Sequence, residues 1–395
     1  MPPFIAETKF QRIATGKDPF VFADGKSLDN VSLAYETYGT LNASKDNAVL
    51  VFHALSGSQH AAGINKVGPG NEFWNEEVHL GWWDPFIGPG KGIDTNRYFV
   101  ICANFLGGCY GSTGPASINP RTKKPYGGSF PYPTISDIVD ANLRLLKHLG
   151  IQRLVAAIGG SIGGCCVMNL ALRYPDLVHC VIPIAAGLRA TILAKAQNFE
   201  QIFAIHEDAN FRGGNYYDGE RPTRGLTLAR MISHKTFISL SLIESRARKE
   251  IIQPKNVLED YKLRHQVESY MLHQGMKFTK RFDANSYLRI VSAWQSFDLP
   301  KELHHGDVAK CFAPCKSQDW LVFTINSDVC FFPEEQAEIA TALKANRVDY
   351  QHITVHSEKG HDSFLLEPEL YLPYISFKLA SAHDRVQQGA AEFTI

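Results

Sequence analysis

The chain has 395 residues, with 40 Lys and Arg side chains against 40 Asp and Glu side chains. A formal net charge of zero excludes a protein that holds nucleic acid or an anionic membrane through a strong positive field. A chain of this length can bury a large core without disulfides. We therefore expect a globular protein with no nucleic-acid partner and no membrane partner.

The cysteines and histidines predict neither disulfides nor a metal site. The eight cysteines include the pair Cys165 and Cys166 and the spaced pair Cys311 and Cys315, which match no zinc or redox motif. The fifteen histidines show no metal-ligand spacing. Residues 1–9 contain an acidic residue and no apolar signal segment. We expect reduced thiols, no metal and a cytoplasmic location.

The first half of the chain predicts a parallel sheet. Apolar or alternating runs predict strands at residues 31–39, 47–52, 98–102 and 181–185. Thr134 and Asp137 have the spacing of a capping box, and the helix that they start is predicted to end at Gly150. Strands that alternate with helices favour parallel pairing through right-handed crossovers.

The most informative stretch is the apolar run 154–158 followed by Gly159-Gly-Ser161-Ile-Gly163-Gly164. A helix is predicted to follow over residues 165–173. A Gly-x-Ser-x-Gly turn between a strand and a helix is typical of a nucleophile elbow, which exposes the serine hydroxyl; an ordinary glycine-rich turn is the alternative. The uncharged run 154–172 is long enough for a membrane span, but its four glycines favour a strand, a turn and a helix.

Residues 187–299 mix apolar and charged side chains at helical spacing, which predicts a helical insertion. Two helical faces are expected within it, one of Val267, Tyr270, Met271 and Phe278 and one of Tyr287, Val291 and Trp294. Strands and helices then resume, at residues 320–325, 333–345, 348–355 and 371–383. The predicted fold is an α/β-hydrolase fold, with a mostly parallel central sheet flanked by helices. Residues 1–186 and 300–395 form its core, and residues 187–299 form an inserted helical lid domain.

Two residues in the second half complete a catalytic triad with Ser161. Asp328 follows the strand that ends at residue 325, and His361 follows the strand that ends at residue 355, which is the α/β-hydrolase order. A neutral imidazole can take the serine proton, and the carboxylate fixes its tautomer. The backbone N–H groups of Ile162 and Leu55 are the predicted oxyanion donors.

The motifs resemble those of the homoserine O-acetyltransferase family over nearly the whole chain. The matching segments lie at residues 53–57, 81–84, 88–91, 109–115, 119–120, 125–127, 159–161, 213–217, 228–232, 281–288 and 360–362. The resemblance implies that acetyl-CoA, as a co-substrate and not a bound cofactor, acetylates the hydroxyl of L-homoserine by a ping-pong route through an acyl-serine. It also implies a role in methionine biosynthesis and a homodimer formed through the lid helices.

The resemblance also implies substrate contacts. Arg230 matches the arginine that binds the carboxylate of the amino acid, and Asp362 matches the residue that meets its amino group. An arginine on an apolar helix needs an anionic partner in any case, which a substrate carboxylate or a salt bridge in the lid would supply equally well. A substrate-contacting tyrosine of the family is matched by Phe237, which has no hydroxyl.

Departures from the family pattern leave other functions open. Ser58 replaces the usual aspartate after the first histidine loop, and Ile162 replaces the usual methionine after the nucleophile. The alternatives are a homoserine O-succinyltransferase, a serine O-acyltransferase, and an acyl hydrolase or thioesterase of the same fold. A non-catalytic interaction module is a further alternative from a different class, but it would usually lack a member of the triad.

Overall fold

The computed structural model describes residues 4–247, 251, 253, 258 and 261–392. Its strands are β1 (Lys9–Ala14), β2 (Phe20–Val21), β3 (Ser27–Leu28), β4 (Val31–Tyr38), β5 (Ala48–Phe52), β6 (Ile87–Gly88), β7 (Ile93–Asp94), β8 (Phe99–Ala103), β9 (Leu154–Gly160), β10 (Val178–Ile184), β11 (Asp319–Ile325) and β12 (Asp349–Val355). Eight of these form the central sheet, in the order β1-β4-β8-β5-β9-β10-β11-β12.

The helices fill the connections between these strands. They are α1 (Ile135–Leu149), α2 (Ile162–Arg173), α3 (Ile192–His206), α4 (Thr223–Phe237), α5 (Leu240–Ala247), α6 (Gln266–Thr279), α7 (Ala284–Gln295), α8 (Leu299–His304), α9 (Val308–Phe312), α10 (Pro333–Ala345), α11 (Ser363–Leu366) and α12 (Leu372–Glu392). No helix in the described ranges is long and apolar enough to cross a membrane.

The sheet is parallel from β8 to β12, and β1 and β4 pair in antiparallel fashion at its other edge. Every residue of β5, β9 and β11 is buried. Successive side chains point to opposite faces, so Leu50 packs in one core cluster while Val49 and Val51 pack in the other. Both faces are covered, which explains why these strands are continuous apolar runs without alternation.

Most predicted elements are confirmed with small shifts of their bounds. The capping box of α1 forms between Thr134 and Asp137, and Gly150 ends the helix in the left-handed conformation, with φ of 71°. The uncharged run 154–172 is the strand β9, a turn and the helix α2. The strand β1 was not predicted, because its residues are largely exposed at a sheet edge. On the predicted face of α6, Met271 and Phe278 are buried, while Val267 is 40% exposed.

The composition of residues 58–95, rich in glycine, proline and asparagine, predicts loops, and the described chain contains no α-helix between β5 and β8. A buried polar network holds this long loop instead. The Glu36 carboxylate accepts hydrogen bonds from Nδ1 of His60 (2.8 Å), Nδ2 of Asn65 (2.8 Å), Oγ1 of Thr8 (2.8 Å) and Oη of Tyr38 (2.9 Å). Burial alone would raise the pKa of Glu36, but the hydrogen bond and the charge of His60 lower it.

The helices α3 to α7 lie in the sequence between β10 and β11, within the predicted lid of residues 187–299. The helix α4 packs against α3, α6 and the Gly360–Asp362 turn, and the ring of Phe237, its last residue, lies near that of His361. A Cβ atom added at Gly360 would lie only 2.6 Å from the backbone nitrogen of Ser239. The lid helices therefore reach the carboxyl ends of the late strands, while the division into core and lid domains stays a prediction.

Candidate active site

Ser161 lies at a strained turn between β9 and α2. Its φ of 60° and ψ of −131° are an uncommon conformation for a residue with a side chain. Its backbone nitrogen donates to the carbonyl of Ile184 on the neighbouring strand, at 2.9 Å. Because tertiary contacts hold this conformation, the serine sits at the apex of the turn, directly before the N-terminus of a helix.

The glycines around Ser161 are required because neighbouring backbone and one aromatic ring approach them closely. A Cβ atom at Gly159 would lie 2.6 Å from the carbonyl carbon of Gly163, and one at Gly163 would lie 2.3 Å from the carbonyl oxygen of Phe52. A Cβ atom at Gly160 would lie 2.6 Å from the ring of Phe364. The turn is therefore packed against the end of β5 on one side and against the segment after His361 on the other.

We expect Gly163→Ala to destabilise the protein by about 1–3 kcal/mol, because the new methyl group would displace the backbone at Phe52. The matched control is Gly16→Ala, since Gly16 has a negative φ and a Cβ atom added there would meet nothing within 4 Å. Urea unfolding of both variants measures the effect. Equal unfolding free energies for the two variants would contradict the close approach.

Asp328 and His361 are in direct contact at the ends of β11 and β12. Nδ1 of His361 lies 2.6 Å from Oδ2 of Asp328. The other carboxylate oxygen accepts from the backbone nitrogens of Cys330 (2.7 Å) and Phe331 (3.0 Å). Both side chains are buried. Three donors thus fix the carboxylate, and the carboxylate fixes the tautomer of the imidazole.

The other ring nitrogen of His361 is free to act as a base. Nε2 is buried and has no hydrogen-bond partner among the described residues. Burial alone would lower the pKa of His361, but the negative charge and the hydrogen bond of Asp328 raise it above its ordinary value. The ring is neutral above this pKa and can then accept a proton at Nε2.

Three aromatic rings surround the imidazole. The rings of Phe331, Phe364 and Phe237 have centroids 5.5, 5.6 and 6.2 Å from that of His361. Phe331 and Phe364 were not predicted as site residues. Their one sequence signal is their position, three residues after Asp328 and His361 respectively. The imidazole is thus buried among apolar rings.

The predicted oxyanion donors lie on two segments that touch each other. Ile162 is the first residue of α2, where a helix leaves its N–H groups without an intrahelical partner. Leu55 is buried in the loop after β5, and a Cβ atom at Gly163 would also lie 2.8 Å from the carbonyl oxygen of His53. The structure thus brings the two segments together beside Ser161.

Arg230 places a positively charged guanidinium among aromatic rings near the site. Its Nη1 atom is buried and has no hydrogen-bond partner among the described residues. Its guanidinium lies over the rings of Phe278, at 4.8 Å, and Phe237, at 5.0 Å. Burial and then the positive charge of Arg281 lower the pKa of Arg230. A buried guanidinium in this state gains from an anionic ligand.

Asp362 is the counterpart of Arg230 in the same region. It follows His361 directly, and burial raises the pKa of its carboxyl against the opposing charges of His361 and Arg230. The two side chains offer a cation and an anion on the same side as the catalytic base. A ligand that carries both a carboxylate and an ammonium group satisfies both.

Comparisons with known proteins bear on the fold and on the relatives of this chain. Residues 47–368 match the family described as the alpha/beta hydrolase fold, which confirms the predicted fold class. The chain is 45% identical to the homoserine O-acetyltransferase of Methanohalobium evestigatum over 363 residues, which are 91% of this chain and 71% of that protein.

Two crystal structures superimpose over 95% of the chain. One is homoserine O-acetyltransferase from Bacillus anthracis, with a TM-score of 0.83, 27% identity and 98% of that chain covered. The other is esterase E22, with a TM-score of 0.82, 29% identity and 100% of that chain covered. The overall fold is thus shared by a transferase and by a hydrolase, so the residues of the site decide between these activities.

Proposed function

The chain belongs to the homoserine O-acetyltransferase family of the α/β-hydrolase fold, and from this premise we propose that it transfers an acetyl group from acetyl-CoA to the side-chain hydroxyl of L-homoserine. The resemblance inferred from the sequence motifs is confirmed. Acetyl-CoA is a co-substrate in this proposal, and the reaction needs no bound cofactor and no metal ion.

The buried Nη1 atom of Arg230, which has no hydrogen-bond partner among the described residues, carries this proposal. An ester hydrolase that uses water as its acceptor has no need of a buried cation beside its base. An amino acid acceptor supplies a carboxylate for Arg230 and an ammonium group for Asp362. Binding of both charged groups on the α-carbon orients the side-chain hydroxyl of homoserine toward Nε2 of His361.

In the first half-reaction, Oγ of Ser161 attacks the thioester carbonyl while Nε2 of His361 takes its proton. The N–H groups of Leu55 and Ile162 bind the oxyanion of the tetrahedral intermediate. Each donor stabilises the transition state by about 3 kcal/mol. The intermediate collapses, the C–S bond breaks, and the imidazolium returns its proton to the CoA thiolate. Acetyl-Ser161 and free CoA are the products.

In the second half-reaction, His361 takes the proton of the homoserine hydroxyl as that oxygen attacks acetyl-Ser161. The tetrahedral intermediate collapses, the bond between the acetyl carbon and Oγ of Ser161 breaks, and the imidazolium returns its proton to Oγ, which releases O-acetylhomoserine. Water at about 55 M competes with an acceptor at about 1 mM. The activation free energy of transfer to homoserine must therefore lie about 6 kcal/mol below that of hydrolysis. Two features supply this preference. The grip of Arg230 and Asp362 orients the acceptor, and the three phenylalanine rings limit the approach of water.

We expect kcat/KM for acetyl-CoA to fall at acid pH with an apparent pKa above the ordinary histidine value of about 6.5. The active form is neutral His361, and the charge of Asp328 favours the protonated form, so activity is lost as the pH falls through a raised pKa. A pH profile between pH 5 and 9 measures this limb. A midpoint below 6.5 would show that Asp328 does not set the pKa of the His361 imidazole.

The proposed activity is tested by CoA release with homoserine, serine and water as rival acceptors, and with acetyl-CoA and succinyl-CoA as donors. Rapid release that depends on homoserine and acetyl-CoA is the expected result. Release at full rate without an acceptor would assign a hydrolase or thioesterase. Preference for succinyl-CoA or for serine would assign one of the alternative transferases.

A homodimer formed through the lid helices is part of the proposal. The helices α4 and α6 border a groove of about 580 Å³ whose lining includes Leu228, Met231, Leu272 and Met276. Leu228 is 48% exposed on the lone chain, and covering such apolar surface supports association. Sedimentation velocity tests the homodimer. A single peak at the mass of the dimer is expected, and a peak at the mass of the monomer would contradict it.

A cytoplasmic location is also proposed. All eight cysteines lie within the described ranges, and all are buried and free. Free thiols are usual where the compartment is reducing.

A further inference from the structure

The 53–57 loop, which carries Leu55, is tied to the lid by a side chain from the other half of the chain. Arg281 lies in the 280–283 link between α6 and α7. Its Nη1 atom donates to the carbonyl oxygen of Ser56, the residue after Leu55, at 3.1 Å. The 280–283 link therefore contacts the backbone that presents one of the proposed oxyanion donors.

Tyr110 holds Arg281 in place through two hydrogen bonds. Its Oη atom accepts a hydrogen bond from Nη1 of Arg281 at 3.2 Å and donates to the carbonyl oxygen of Arg281 at 2.5 Å. Burial raises the pKa of Tyr110, so the phenol keeps its proton and stays a donor. The ring is fully buried and meets Trp74 and Phe282 edge to face, which leaves it little freedom to move.

Further contacts hold each end of this arrangement. Nδ2 of Asn75 donates to the carbonyl oxygen of Lys280, at 3.3 Å. In the 53–57 loop, Nδ1 of His53 bonds the carbonyl oxygen of Ala54 at 2.7 Å, and Nε2 accepts from the backbone nitrogen of Phe105 at 3.2 Å. The loop is thus fixed at its start by His53, while Arg281 is the side chain that fixes it just beyond Leu55.

We propose that Arg281 and Tyr110 form a clamp that positions the N–H of Leu55 for the oxyanion, and that they are positioning residues and not catalytic ones. The proposal rests on the proposed function, because it takes Leu55 as an oxyanion donor. The same oxyanion site serves both half-reactions, so a loosened clamp slows acylation and deacylation by the same factor. A residue that touches only one substrate would slow only one of them.

Ping-pong kinetics separate these outcomes, because kcat/KM for each substrate reports its own half-reaction. The variants are Arg281→Lys, Tyr110→Phe and the double variant. We expect kcat/KM for acetyl-CoA and for homoserine to fall by the same factor, about 10- to 100-fold, while the midpoint of urea unfolding stays at the wild-type value, which separates the clamp from a general distortion of the fold. The double variant should lose no more than the worse single variant, since both residues act through one contact.

The matched control is Arg144→Lys, because Arg144 also donates to backbone carbonyls, those of Ile13 (3.2 Å) and Pro19 (3.0 Å), which belong to the 13–19 segment. Both kcat/KM values should be unchanged in it. A fall in only one kcat/KM value, or in neither, for Arg281→Lys would overturn the clamp. If that variant does not fold, Tyr110→Phe gives the same comparison, since it removes one oxygen from a buried ring.

Hydrolysis of p-nitrophenyl acetate by the same variants keeps this test separate from the proposed function. If the wild-type protein does not acetylate homoserine, the proposed function fails. The clamp still predicts that ester hydrolysis slows by the same factor in Arg281→Lys and in Tyr110→Phe. Hydrolysis at the wild-type rate would contradict it whichever acceptor the protein uses.

Discussion

Ser161→Ala is expected to lower kcat for acetyl transfer by about 10⁴-fold or more, because no acyl-enzyme can form without Oγ. The remaining rate would come from binding and from the oxyanion donors alone. Steady-state CoA release with saturating homoserine measures the change. Alanine has no larger volume than serine, so the turn between β9 and α2 should keep its conformation.

A control separates loss of the nucleophile from loss of the fold. Ser286 is a buried serine like Ser161, and its Oγ has no hydrogen-bond partner in the described part of the chain. Ser286→Ala should therefore keep its turnover, and both variants should keep the wild-type unfolding midpoint. Turnover of Ser161→Ala within tenfold of the wild-type value would exclude a covalent route through this residue.

Arg230→Met is expected to lower kcat/KM for homoserine by about 10²- to 10³-fold and to leave kcat/KM for acetyl-CoA unchanged. Loss of one partner from a buried charged pair costs about 3–4 kcal/mol, which corresponds to this factor. Methionine keeps much of the apolar stem that packs against Phe237 and Phe278. Initial rates over a matrix of both substrates measure the two constants.

Arg121→Met serves as the control for this prediction, because Arg121 is 83% exposed and its ion pair with Asp29 lies on the surface. Neither kcat/KM should change in it. An equal loss of both constants in Arg230→Met would point to a general distortion of the site. Loss of kcat/KM for acetyl-CoA alone would place Arg230 on the donor and not on the acceptor.

The fold and the polar members of the site could be predicted because they depend on local patterns. The glycines around Ser161 are dictated by backbone contacts that no side chain tolerates, so the motif itself carries the geometry. Asp328 and His361 each follow a fully or partly buried strand of a parallel sheet, and the carboxyl ends of such strands meet at one edge. Their contact at 2.6 Å is a consequence of that topology.

The contacts between distant segments could not be predicted in the same way. Arg281 reaches Ser56 across 225 positions of the chain, and Tyr110 reaches Arg281 across 171. Neither residue lies in a pattern that periodicity or turn chemistry can place. The antiparallel edge strand β1 was missed for a related reason, since it pairs with β4 without a buried face of its own.

Intact mass spectrometry of the protein mixed with acetyl-CoA, followed by homoserine, tests the covalent transfer route most directly. We expect the protein to gain one acetyl group, peptide mapping to locate it on Ser161, and homoserine to remove it as O-acetylhomoserine much faster than water does. A protein that never gains the acetyl group, or that loses it equally fast with and without homoserine, would contradict this route.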